Sequence, residues 1–273
     1  MTMRRGIQLA VLTGMLAWLP LEAGPVGAAE RAASVQMRAL TWVEIAAAIE
    51  QGATTVIVPT GGIEQNGPHM PLGKHDIIVA AAAERIALAV GRTLVAPVVS
   101  FVPEGDIAPA TANMLFPGTI GVSEVVFESL LEDIALSLKH AGFKNIVFIG
   151  DHGLSQPGQA RVAEKLTRAW VWSGVRVHQL DQYYDDRAQI AALVAEGETT
   201  ASIGQHASLI DTAELMSIAP GSVALEKLAA AQVDLASVGA SGAPGRASVT
   251  RGAQLFKMRI EAATRQLQGL INR

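Results

Sequence analysis

The chain has 273 residues, of which 50% are hydrophobic and 17% are charged, enough apolar material to bury a sizeable core in one large domain or two small ones. Its formal net charge is −4 and it has no basic tract, so nothing in the composition points to nucleic-acid binding. It contains no cysteine, which excludes disulfides, thiolate metal sites and a cysteine nucleophile.

The first 29 residues have the pattern of a secretory signal peptide. Two arginines precede an apolar run from Ile7 to about Leu19, and small residues follow up to Ala29. The run is shorter than the roughly 20 apolar residues that a spanning helix needs. An uncleaved membrane anchor and a start codon placed too early are the alternatives. We therefore expect removal of residues 1–29, a single domain over residues 30–273, and an exported, periplasmic protein with no membrane segment after cleavage.

Strand and helix patterns alternate along the rest of the chain. Strands are predicted where β-branched runs end at Gly or Pro, and helices where apolar residues recur with a helical period between a cap and a glycine. The alternation predicts a mainly parallel sheet with helices on both faces, a three-layer α/β/α sandwich. In chain order the prediction is helix 41–52, strand 54–62, helix 76–91, strand 93–101, a long loop, helix 123–142, strand 145–153, helix 156–174, strand 175–180, helices around 189–197 and 210–218, and a last helix from about 247 to 270.

Polar side chains follow two of the predicted strands. The stretch "PTGGIEQNGPHMPLGKHD", residues 59–76, leaves the first strand, and "GDHG" leaves the third. Ligands bind at the carboxyl ends of the strands in such folds, so we expect the two segments to meet there. Glu64, His75 and His152 would supply the three protein ligands of a catalytic metal site, with one position open for water.

The same segments also have an interpretation without chemistry. A histidine in a loop is usually solvated or caps a helix, and His69 is expected to have a structural role. Asp76 and Asp151 each precede a helical pattern that they could cap. The spacing alone therefore leaves both a metal site and a polar surface loop open.

The first polar segment resembles the signature of the creatininase (creatinine amidohydrolase) family. Four later segments resemble family segments in the same order, so the resemblance covers almost the whole mature chain. It implies an α/β/α fold, a metal-dependent hydrolase of cyclic amides and related C–N bonds, a small-molecule substrate and a homo-oligomer. The four segments are "FPGTI" at 116–120, "IGDHG" at 149–153, "QHASLIDTAELMSIAPGSV" at 205–223 and "GASGAPGRASVTRGAQLF" at 239–256.

The resemblance also implies a ligand set. The best-known family members hold two metals, and one of these sites is retained here. The motif Glu corresponds to Glu64 and the His of the glycine turn to His152. The bridging Asp falls on His75, with Asp76 one residue later as an alternative ligand.

The second site of the family is incomplete in this chain. Asn66 replaces a motif His and could offer a weak oxygen or a hydrogen bond behind the metal. Leu154 stands where the family has a second Glu and cannot bind metal. The resemblance therefore implies one divalent ion per subunit, with zinc or manganese ahead of iron.

The resemblance finally implies two catalytic residues. His206 matches a His that lies over the substrate and can shuttle a proton, and Asp211 matches a nearby carboxylate that could orient it. We expect an amidohydrolase acting through metal-activated water. The alternatives are a non-catalytic small-molecule-binding homologue, motivated by the incomplete second site, and a mononuclear hydrolase or lyase acting on a sugar-like ring.

Overall fold

A four-stranded parallel sheet forms the centre of the fold in the computed structural model, which describes residues 34–231 and 234–272. The predicted signal peptide therefore lies outside the described residues. The strands, in the spatial order β2-β1-β3-β4, are β1 Thr55–Thr60, β2 Thr93–Val95, β3 Asn145–Gly150 and β4 Arg176–Gln179. The four predicted strands and their parallel arrangement are confirmed. β2 is shorter than predicted and ends before Pro97, which has no N–H to donate to a ladder.

Helices cover both faces of the sheet. Three short helices, at Asp181–Tyr184, Thr200–Ile203 and Glu226–Ala231, were not predicted, and the helix predicted over residues 156–174 ends at Ala169, before a 3₁₀ turn at Val171–Ser173. No helix within the described residues is both long and apolar enough to span a membrane. Over residues 34–231 and 234–272 the α-helices are α1 Trp42–Glu50, α2 Lys74–Val90, α3 Glu124–Ala141, α4 Gln156–Ala169, α5 Asp181–Tyr184, α6 Arg187–Ala195, α7 Thr200–Ile203, α8 Leu209–Ile218, α9 Glu226–Ala231 and α10 Val249–Ile271.

The side chains of the sheet alternate between two hydrophobic cores. On β1, Ile57 belongs to one core and Val58 to the other, and on β3 Val147 and Phe148 divide in the same way. The first core includes side chains of α2, α8 and α10, and the second includes side chains of α3 and α4. Both faces of the sheet are thus buried, which confirms the three-layer sandwich.

Two predicted helix caps are wrong. Gly73, rather than Asp76, is the N-cap of α2, and Ser155, rather than Asp151, precedes α4. Both aspartates make long-range contacts instead, because strand-end loops fold back over the sheet before their helices begin. These two carboxylates can therefore contact residues at the edge of the sheet where the strands have their carboxyl ends.

The strand order opens a crevice between β1 and β3. The chain leaves β1 for β2 on one side and returns to place β3 on the other, which is the topological switch point where α/β folds bind ligands. Thr60 and Gly150 are the last paired residues of the two strands, so both strands end at the same level. The two polar segments therefore start side by side.

Candidate metal centre

The three predicted ligands meet in this crevice. Glu64 follows β1, His75 lies in the first turn of α2, and His152 follows β3. His75 Nε2 lies 2.5 Å from Glu64 Oε1, and His152 Nε2 lies 3.1 Å from Glu64 Oε2. All three residues are buried, and one potential ligand atom of each lies within 4.8 Å of the others. The structure thus brings together residues that are separated by as many as 88 positions in the chain.

A buried carboxylate fixes the ring of His75. His75 Nδ1 lies 2.7 Å from Asp151 Oδ2, so a proton on Nδ1 is donated to Asp151 and Nε2 is directed at Glu64. Asp151 is itself held, because its Oδ1 accepts hydrogen bonds from the Tyr183 hydroxyl at 2.8 Å and from Arg259 Nη1 at 2.7 Å. Sequence reasoning missed this support, since α5 and α10 bring Tyr183 and Arg259 from distant parts of the chain.

The charges of the centre depend strongly on one another. Burial opposes ionisation of Glu64, yet hydrogen bonds from His152 and His75 hold its pKa well below its usual range. Burial would lower the pKa of His152, but Glu104 and Glu64 outweigh that effect and raise it to about 9. Burial likewise disfavours the charged form of His75, while its carboxylate partners raise its pKa above the ordinary value. The buried carboxylates therefore require positive charge at this point.

The donor set fits a divalent metal ion. One carboxylate and two imidazoles are the ligand types of catalytic zinc sites and also suit manganese and iron. Protonated imidazoles supply the positive charge in the metal-free protein, and a divalent cation would supply it with both imidazoles neutral. The bond from His75 to Asp151 is the contact that commonly supports a metal-binding histidine from behind.

Two residues of the long loop after β2 also reach the centre, and sequence reasoning missed both. Glu104 Oε2 lies 3.0 Å from His152 Nε2. The Asn113 amide donates to Glu64 Oε2 and, at 3.1 Å, to Glu104 Oε2. The available signal was that this loop also leaves the carboxyl end of a strand, but the path of a loop of some twenty residues could not be predicted from its sequence.

Asp76 and Asn66 lie outside the group of three. Asp76 accepts hydrogen bonds from the Gly62 N–H at 3.1 Å and the Ser100 hydroxyl at 2.5 Å, so it ties the loop after β1 to the segment after β2. The Asn66 amide donates to the carbonyl oxygens of Glu64 at 3.0 Å and Pro71 at 3.2 Å. The alternative ligand and the weak ligand of the sequence prediction thus both hold the shape of the loop.

A cavity of about 230 Å³ opens beside the ligands. His206 lines it, with Nδ1 3.7 Å from Glu64 Oε1 and Nε2 2.9 Å from the Gln65 carbonyl oxygen. Asp211 also lines it, but this carboxylate accepts a hydrogen bond from Lys74 Nζ at 3.2 Å and closes the capping box of α8. Within the described residues the His206 ring makes its hydrogen bonds to Gln65 rather than to Asp211, so an orienting role for Asp211 stays a prediction.

Comparison with known proteins identifies the family. A family model described as creatininase, creatinine amidohydrolase, matches residues 38–267. The chain belongs to the creatininase family. This membership confirms the resemblance read from the five sequence segments, and it assigns the chain to a family of metal-dependent amidohydrolases.

The curated proteins to which this chain is similar differ in the reactions that their names describe. Creatinine amidohydrolase of Pseudomonas putida is 24% identical over 200 residues, which is 71% of this chain and 76% of that protein. 3-Dehydro-scyllo-inosose hydrolase of Thermotoga maritima is 27% identical over 125 residues, 45% of this chain and 38% of that protein. Mycofactocin precursor peptide peptidase of Mycolicibacterium smegmatis is 33% identical over 103 residues, 36% of this chain and 39% of that protein.

Solved creatininase structures share the fold. A structure described as creatininase Mn matches with a TM-score of 0.71 and 21% identity, covering 86% of this chain and 98% of its own. A crystal structure of creatinine amidohydrolase matches with a TM-score of 0.70 and 22% identity, covering 86% of this chain and 97% of its own. These matches confirm the creatininase-like α/β/α sandwich.

Proposed function

We propose that this protein hydrolyses an amide, cyclic amide or related C–N bond with the help of one divalent metal ion. Zinc or manganese is the expected metal, and iron is the second choice. The observation that carries the proposal is the convergence of Glu64, His75 and His152, all buried, at the edge of an open cavity. Relatives named for amide hydrolysis and a neighbouring structure named for manganese support it.

The residues of the chain divide the chemistry between them. A divalent ion in the centre supplies a water of lowered pKa and polarises the substrate carbonyl. Glu64, His75 and His152 would hold the ion, and Asp151 keeps the His75 ring in place. His206 Nδ1 faces the centre, and from that position it can give a proton to the departing nitrogen.

The walls of the cavity favour a small polar substrate. Lys74 and Asp211 form an ion pair there, and Tyr184 and Gln205 present further hydrogen-bonding groups. A volume of about 230 Å³ suits a small molecule better than a folded protein chain. The paired charges indicate a substrate recognised mainly by hydrogen bonds.

A second candidate function is hydrolysis or cleavage of a sugar-like ring ketone. The observation that favours it is the Thermotoga maritima relative, whose name describes a hydrolase of a cyclic inosose. The polar walls of the cavity suit such a ring equally well. The same metal centre would serve both reactions, so the substrate has to be found by assay.

A substrate screen tests the proposal. Protein loaded with zinc, manganese or iron is assayed on lactams, cyclic ureides, formamides and cyclic polyol ketones. For any substrate found, replacing His206 by alanine should lower kcat about 10²–10⁴-fold without changing metal content, because the change removes a proton-transfer group and no ligand. His140→Ala, at an exposed histidine at the end of α3, is the matched control and should leave kcat unchanged.

Two results would overturn the proposal. A protein that binds neither metal nor turns over any of these substrates would be the non-catalytic binding homologue. Equal activity in the metal-free Glu64→Gln variant and the loaded wild type would show that the centre is not used.

We also propose export to the periplasm and assembly into a homo-oligomer. Export is supported by the pattern of residues 1–29 and self-association by the resemblance to the family; Trp172, which is 97% exposed, is an apolar side chain that a subunit contact could cover. N-terminal sequencing of protein from the periplasmic fraction should start near residue 30, and light scattering should give a mass above the monomer. An unprocessed N-terminus or a monomeric mass would contradict the respective proposal.

A further inference from the structure

We infer that Glu104 is a further metal ligand, so that two carboxylates and two imidazoles would hold the ion and a further position would stay open for water. The inference rests on the proposed metal-dependent function and concerns the same centre. It adds a residue from a third strand-end loop to the predicted set of Glu64, His75 and His152.

Glu104 is aimed at the centre from the loop after β2. Its side chain is fully buried, and its Oε2 lies 3.0 Å from His152 Nε2. The same nitrogen lies 3.1 Å from Glu64 Oε2. An imidazole nitrogen carries at most one proton, so the two carboxylates have to share a single donor there.

The four carboxylate oxygens of Glu64 and Glu104 outnumber the three donor groups that the described residues place around them, which are His75 Nε2, His152 Nε2 and the Asn113 amide. Asn113 provides one amide group, which donates to both Glu64 Oε2 and Glu104 Oε2. Glu104 Oε1 is buried and accepts no hydrogen bond from any described residue. A buried carboxylate oxygen without a donor is costly unless it is paired or coordinates a metal. A divalent cation at the shared position would satisfy both carboxylates and leave His152 neutral.

The surrounding backbone is built to admit this side chain. A Cβ atom placed on Gly62 would lie 2.8 Å from Glu104 Oε1, and one placed on Gly121 would lie 3.0 Å from Glu104 Cβ. The Asn113 N–H donates to the Glu104 carbonyl at 3.1 Å, which joins the two halves of the loop next to the centre. Glu104 is thus held in place from its backbone as well as at its carboxylate.

Measurements of metal binding can distinguish a carboxylate that is a metal ligand from one that has only a structural role. Metal-free wild type, Glu104→Gln and Glu198→Gln are titrated with Zn²⁺ by calorimetry, and the visible spectra of their Co²⁺ forms are recorded. Glu198 is the control, since it is a buried carboxylate held by Arg246 and Arg251 away from the centre. We expect Glu104→Gln to raise the Kd by more than the about 10–100-fold that loss of a supporting contact behind a ligand costs, and to change the Co²⁺ spectrum, while Glu198→Gln stays within about twofold of wild type.

The unfolding midpoint with and without Zn²⁺ gives a second readout. Glu104 pairs with protonated His152 in the metal-free protein, so Glu104→Gln should lower the unfolding midpoint of the metal-free protein in either case. Saturating Zn²⁺ should raise the unfolding midpoint of wild type more than that of Glu104→Gln if Glu104 is a ligand, and equal increases in the two proteins would overturn the inference.

The remaining outcomes are also decisive. An unchanged Kd, or a raised Kd with an unchanged Co²⁺ spectrum, would show that Glu104 is not a ligand even though the centre binds metal. A wild type that binds neither Zn²⁺ nor Co²⁺ would overturn both this inference and the proposed function.

Discussion

Replacing Arg259 by methionine removes the cation that faces two buried carboxylates behind the candidate metal centre. Arg259 Nη1 lies 2.7 Å from Asp151 Oδ1, and its Nη2 lies 3.3 Å from Glu214 Oε2. The arginine side chain is 9% exposed and the two carboxylates are 2% and 1% exposed. Removing one partner of a buried pair costs about 3–5 kcal/mol. For a domain of this size the loss corresponds to a decrease in Tm of roughly 6–20 °C.

Urea unfolding followed by circular dichroism measures this loss. The control is Arg161→Met, which also removes an arginine with two carboxylate partners, Glu124 at 2.8 Å and Glu128 at 2.6 Å. The Arg161 side chain is 49% exposed, so solvent screens its ion pairs and its removal should hardly change the free energy of unfolding. Equal losses in the two variants would refute the argument that Asp151 and Glu214 depend on a buried cation.

Three further changes test other parts of the account. Asp151→Asn should weaken Zn²⁺ binding about 10–100-fold in calorimetry, because His75 loses its supporting carboxylate; an unchanged Kd would contradict this. Gly252→Ala should lower the free energy of unfolding by about 1–3 kcal/mol, because the new Cβ atom would lie 1.7 Å from the Ala213 carbonyl oxygen. Gly269→Ala, on the same helix, places its Cβ atom in open space and should raise the free energy of unfolding by up to about 1 kcal/mol. Similar effects of the two substitutions would be inconsistent with close packing of α8 and α10. Burial lowers the pKa of His69 to about 4, so folding favours the neutral form of this histidine. As the pH falls from about 7.5 to 5, the free energy of unfolding of wild type should therefore decrease by about 1–2 kcal/mol relative to that of His69→Gln. Urea unfolding of metal-free proteins checks this, and a pH-independent difference would rule it out.

The layers of the fold could be predicted because local signals and the global fold agree. The β-branched runs of β1 and β3 form the centre of the sheet, and α1 and α3 begin at their predicted caps, Thr41 and Ser123. Glu64, His75 and His152 were found because they directly follow strands or begin a helix, where position along the chain fixes position in space.

The rest of the site depends on tertiary contacts that leave no local pattern. Glu104 and Asn113 lie in a long loop, and only the folded path of that loop brings them to His152. Arg259 lies on the amphipathic helix α10, and nothing in the sequence distinguishes this inward-facing arginine from the other arginines of the helix. Asp151 was predicted as a cap because its partner His75 is 76 residues away in the chain.

Metal stoichiometry tests the central claim most directly. Elemental analysis of purified protein, incubated with zinc or manganese and freed of excess metal, should give about one equivalent per chain for wild type and for the His140→Ala control. Glu64→Gln and His152→Ala should each lose nearly all of it while keeping the wild-type circular dichroism spectrum. Wild-type protein without metal, or folded variants that retain a full equivalent, would contradict a metal centre formed by Glu64, His75 and His152.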